Sequence, residues 1–85
     1  MDNQRARIKA IDRLLVRTLK ERVEIGKEIA RIKEERGLGI EDPAQEDKVI
    51  ERVRSYAEDQ ISEDCGDEIE EVWKAVMELT KSEMR

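Results

Sequence analysis

Between Ile8 and Lys33 the apolar residues Ile8, Ile11, Leu15, Ile25, Ile29 and Ile32 recur in alternating steps of three and four, with Thr18 and Arg22 filling the two remaining places. A stripe of this regularity predicts one long helix, from about residue 4 to Arg36, that packs against other helices. Asp2 or Asn3 is placed to cap its start. Gly26 is the one weak spot inside it, costing about 1 kcal/mol relative to Ala. Gly37 stands where a left-handed residue ends a helix, and Leu38 is placed for the accompanying apolar contact. Arg22 is the anomaly. A charge in an apolar seam must be paired or must face a cavity, because burying it alone is prohibitive.

After a short loop, Asp42-Pro43-Ala44-Gln45 reads as a helix start, with Asp at the N-cap, Pro at the first position and Gln three residues on. The second helix carries Val49, Ile50, Val53 and Ala57 on one face and fades by about Asp59. Residues Ile61 to Gly66 form a connector, and either Ser62 or Asp67 caps the third helix. That helix repeats Ile69, Val72, Trp73, Val76, Leu79 and Thr80 at helical spacing. No stretch reads as a strand.

Composition turns this into an assembly problem. Leu, Ile, Val and Phe supply only 20 of the 85 residues, and 46% of the chain is charged. That apolar share lies close to the level of roughly 20% at which chains stay disordered, yet the apolar residues stand in clean stripes. A single all-α domain spanning residues 1–85 reconciles the two if it completes its core with another copy. The second and third helices, each about half the length of the first, would leave part of the long stripe uncovered. A second long helix lying antiparallel across a twofold axis would cover it, which predicts an intertwined helical homodimer. An extended coiled coil would need heptads beyond Gly37, and the pattern stops there.

The net charge is −5, with both signs interspersed and no basic block, which argues against nucleic acid. No apolar run approaches a membrane span, and no signal peptide is seen, so a cytoplasmic location is expected. Cys65 is the sole cysteine, in keeping with a reducing compartment and a connector role without chemistry. Trp73 reads as a core anchor. With no histidine in the chain, metal and triad chemistries are poor candidates.

Three cations stand on or beside the first stripe: Arg5, Arg22 and Lys33. Arg22 and Lys33 are about 16 Å apart along a helix, near enough for two long side chains to meet at one small ligand. Arg5 lies about 25 Å from Arg22 by the same rise, too far within one chain. An antiparallel partner crossing near residue 16 would bring its Arg5 opposite residue 27 and so complete a three-cation pocket.

These residues carry a resemblance. The pattern Arg5-x5-Ile11-Asp12-x3-Val16-x5-Arg22-x10-Lys33, followed by Ile40-x-Asp42-Pro43-x2-Glu46, is similar to the all-helical (AroQ-type) chorismate mutases. The likeness is close over residues 5–56 and looser through the third helix. It implies a cofactor-free isomerase of aromatic amino-acid biosynthesis that rearranges chorismate to prephenate in an intertwined dimer of three-helix chains. On that resemblance, Arg22 and the partner's Arg5 hold the two substrate carboxylates and Lys33 sits at the ether oxygen. Glu46 takes the ring hydroxyl with help from the Asp42 region, and Thr80 lies near the ring carboxylate. Two positions depart from the family's pattern. Gln45 stands where the family usually has Arg, which weakens a water-mediated contact there. Met84 stands where the family usually offers Gln, or Glu in some branches, to the ether oxygen. A thioether cannot donate that hydrogen bond, so either Lys33 acts alone, or the third helix shifts so that Glu83 faces the site, or the activity is weak. Rival readings on the same scaffold are pyruvate elimination from isochorismate and a catalytically silent helical dimer that binds a partner.

Overall fold

A computed structural model describes residues 1–39 and 41–84; Ile40, quoted above in the second motif, lies outside them. Among the described residues there are three α-helices: α1 (Asp2–Glu35), α2 (Pro43–Gln60) and α3 (Gly66–Met84). None is long and apolar enough to cross a membrane.

The expected ends of α1 fare differently. At its C-terminus Gly37 takes φ 69°, the Leu38 N–H donates to the Lys33 carbonyl at 2.8 Å, and the Gly37 N–H donates to the Glu34 carbonyl at 3.0 Å. This is the paired closure that a left-handed glycine permits. At the N-terminus neither Asp2 nor Asn3 caps the helix. Met1 occupies that place without a side-chain bond, and Asp2 falls in the first turn, where its charge favours the helix dipole.

Helix α2 starts as expected. The Asp42 carboxylate accepts the Gln45 N–H at 3.1 Å and Pro43 takes the first position. Val49, Val53 and Ala57, spaced by four, are its buried face and the only apolar side chains buried among the described residues. They pack towards α3, whose Ile69, Trp73, Val76 and Met77 are half-buried.

The start of α3 corrects the sequence expectation, since neither Ser62 nor Asp67 caps it. The helix begins at Gly66, and the Ile69 N–H donates to the Cys65 carbonyl at 3.0 Å. Tertiary packing sets this boundary. A Cβ on Gly66 would stand 2.9 Å from both Arg54 Nη2 and Glu58 Oε1, so these two side chains of α2 reach the backbone where no side chain intervenes. Asp67 is inside the first turn instead, bonded to Arg54 at 3.0 Å, and Arg54 also grips Glu70 at 2.9 Å. The Cys65 thiol donates to the carbonyls of Ser62 and Ala57, fastening the connector.

Helix α1 touches α3 through its C-terminal half. Residues 1–18 are all exposed, while Leu19, Arg22, Val23, Gly26, Ala30 and Lys33 are half-buried. Gly26 is a close approach: a Cβ there would lie 2.5 Å from Thr80 Cγ2. The glycine that weakens the helix is thus where α3 crosses.

The covered face is not the stripe that the sequence displays. At about 100° per residue, the half-buried positions centre ~70° around the helix from the stripe of Ile8, Ile11, Leu15, Ile25, Ile29 and Ile32. Those six side chains remain 45–58% exposed. Arg22 lies on the border between the two faces. The chain is 53 Å long, the length of its first helix, and its radius of gyration is 15.5 Å, against about 12 Å for a compact chain of this size.

Candidate functional site

Three elements meet at Arg22. The side chain leaves α1 one turn before the crossing at Gly26 and lies between two hollows. The larger, about 380 Å³, is walled by α2 and α3 through Val53, Tyr56, Ala57, Ile69 and Trp73, with Arg52 at its edge. Burial lowers the Arg22 pKa from its ordinary value, and the like charge of Arg52 acts in the same direction. A guanidinium partly stripped of water and faced by a second cation is a place prepared for an anion.

The smaller hollow, about 140 Å³, collects the residues with the most suggestive chemistry. It is lined by Arg22 from α1, by Glu41 and Glu46 at the start of α2, and by Met77, Thr80, Lys81 and Met84 from the end of α3. The Asp42 cap fixes where α2 begins and so where Glu46, in its first turn, points. Thr80 is buried against Gly26, and its hydroxyl donates to the Val76 carbonyl at 3.3 Å. Lys81 Nζ stands 2.8 Å from Glu46 Oε1 and 3.6 Å from Glu41 Oε1. The two carboxylates raise the Lys81 pKa, chiefly through the hydrogen bond that Glu46 accepts.

Of the eight site residues expected from sequence, the fold therefore brings together Arg22, Glu46, Thr80 and Met84. Asp42 is adjacent but exposed, and its carboxylate is engaged in the helix cap. Gln45 is exposed next to it, its N–H held by that same cap. Lys33 is half-buried in the last turn of α1, where a cation favours the helix dipole, and does not line this hollow. Arg5 is exposed at the far end of α1. Glu83, the alternative to Met84, is exposed and lines two hollows beside Lys27, one of them shared with Met84, whereas Met84 also lines the hollow of Arg22.

Lys81 was missed, although a signal for it existed. Met77, Thr80, Lys81 and Met84 follow the i, i+3, i+4, i+7 spacing of one helix face. A site that takes Thr80 and Met84 from this face takes Lys81 with them.

The three-helix chain brings a half-buried arginine, a carboxylate and a threonine to one small hollow. The chain belongs to the chorismate mutase type II family, whose model matches residues 4–85. Its activity is accordingly that of an isomerase converting chorismate to prephenate. Neither the curated proteins nor the solved structures contain a match to it.

Proposed function

We propose that the active unit is an intertwined homodimer with two shared sites, each built on the Arg22 hollow of one chain and closed by the N-terminal half of α1 from the other. The observation that carries this reading is the bare stripe on α1. A chain of 10.0 kDa exposing 7155 Å² stands well above the roughly 5,200 Å² usual for a folded monomer of that mass. The excess, taken over two copies, is in the range of about 2,000–5,000 Å² that obligate dimers bury. The smaller hollow, at about 140 Å³, is also too small alone, since sites for small ligands run to roughly 300–1,000 Å³.

The reaction asks little of side-chain reactivity. The rearrangement is unimolecular, so no nucleophile, base or metal is required. The protein must hold a folded dianion in its reactive conformer and set fixed positive charge where the breaking C–O bond gathers electron density. A 10⁶-fold acceleration needs about 8 kcal/mol, within reach of those two effects together. In this reading Arg22 and Arg5 of the partner subunit bind the two carboxylates. Lys33 serves the ether oxygen, and Glu46 accepts the hydrogen bond of the ring hydroxyl. Thr80 lies beside the ring carboxylate. Asp42 and Gln45 shape the start of α2, and Met84 closes the wall without donating. The interspersed charge and the single cysteine suit a cytoplasmic enzyme.

Complementation tests the shared site. Arg5→Ala and Arg22→Ala homodimers should each be inactive towards chorismate, followed by its ultraviolet absorbance. Unfolded together in equal amounts and refolded, they should give half mixed dimers, each with one intact site and one doubly defective site. Activity should return to about a quarter of the wild-type value. If mixed dimers form and activity does not return, Arg5 does not act across the interface.

A further inference from the structure

Beyond the residues that the family resemblance marks, we infer that Lys81 is a positioning residue of the reaction, holding Glu46 in place and cancelling its charge in front of the dianionic substrate. The inference rests on the reading of the Arg22 hollow given above. Its observation is the geometry of that hollow. Two carboxylates, Glu41 and Glu46, share its wall with two cations, Arg22 and Lys81. Without Lys81 one guanidinium would face two carboxylates, and a substrate bearing two more would meet net repulsion. With it the wall of the chain is neutral, and each further cation, such as Arg5 of the partner subunit, makes the site attractive.

The contact is aimed at Glu46 rather than spread over the surface. The Lys81 ammonium lies 2.8 Å from Glu46 Oε1 but 3.6 Å from Glu41, and Glu41 is the far more exposed of the two at 73%. Both members of the closer pair are about one-third exposed, so solvent screens the pair only in part. The lysine holds one carboxylate oxygen and leaves the other free to accept from a hydroxyl. Two sequence features give this cation more to do. Gln45 offers no charge at the start of α2, and Met84, one turn beyond Lys81, offers no donor.

The test is a double-mutant cycle read in KM and kcat. Lys81→Met keeps most of the side-chain stem and removes the charge, and should raise KM for chorismate about tenfold with a smaller change in kcat. The increase should shrink as salt is added, because it arises from repulsion between charges. Lys81→Arg should restore KM to within about threefold of wild type. In a Glu46→Gln background, where a carbonyl can still accept the hydroxyl and no charge needs cancelling, Lys81→Met should change KM by less than about threefold. Equal losses in both backgrounds would overturn the inference, as would a salt-independent loss or no loss at all. Circular dichroism and melting of each variant separate these results from unfolding, and Lys81→Gln serves as a second neutral variant. Arg22→Ala separates the two levels of the argument. If it abolishes turnover while Lys81→Met has no effect, the hollow is the site and only the role of Lys81 fails. If Arg22→Ala is fully active, the reading of the hollow itself fails.

Discussion

Residues 2–18 of α1 carry Ile8, Ile11, Leu14, Leu15 and Val16, all more than half exposed, whereas from Leu19 onward α3 lies against the helix and half-buries every third or fourth residue. Both halves are helical. They differ in what their own chain supplies. Helices α2 and α3, of 18 and 19 residues against 34 for α1, are long enough to reach only one end of it. The C-terminal half places its small and polar residues at a close crossing around Gly26 and at the hollow beside Arg22. The N-terminal half keeps larger apolar side chains and has nothing to set them against. In the C-terminal half α3 covers one face only, Ile25, Ile29 and Ile32 stay 45–56% exposed beside it, and Arg22 stands where the covered and bare stretches meet.

The sharpest way to break that comparison is a charge in the bare half. For a truly solvated side chain, Ile11→Asp should shift stability by no more than about 0.5 kcal/mol. If a second copy covers the stripe, it should cost at least ~3 kcal/mol per chain, with loss of association. Chemical denaturation together with sedimentation distinguishes the two.

A smaller effect is expected at the crossing. Gly26→Ala gains about 1 kcal/mol of helix propensity but drives its methyl into Thr80 Cγ2, and overpacking of this kind costs about 1–3 kcal/mol. Thr80→Ser removes the obstructing methyl. The alanine should therefore destabilise the wild-type protein and be neutral or stabilising in the Thr80→Ser background, a coupling of roughly 2 kcal/mol read from urea denaturation. Equal effects in both backgrounds would mean that α3 does not press on Gly26.

The smallest effect belongs to the clamp between α2 and α3, away from α1. Lys74, and then Arg54, holds the Glu70 carboxyl below its ordinary pKa. A carboxyl lowered in the folded state stabilises above its unfolded pKa of about 4.3, and that contribution is lost as pH falls through the folded value. Melting temperature should fall less steeply below about pH 4.3 in Glu70→Gln than in wild type, with turnover at neutral pH unchanged. An identical acid slope in both proteins would remove the clamp from the account.

Much of this molecule was legible as sequence because its signals are local. The period of the first stripe, the Asp42-Pro43 start, Gly37 as a stop and the buried face of Val49, Val53 and Ala57 all follow from helix geometry and capping, which act within a few residues. The Arg5 to Glu46 pattern spans 41 positions, but it is a set of fixed spacings along the chain, and those pointed to the family. Tertiary structure decided what depends on packing between helices. It moved the start of α3 to Gly66, because Arg54 and Glu58 crowd that point. It turned Gly26 from a cost into the crossing beside Thr80, and it placed α3 on a face ~70° from the visible stripe. It also brought Lys81 to Glu46, a meeting of residues 35 positions apart. Such a contact is set by how two helices lie together, and no periodicity along one chain segment specifies that.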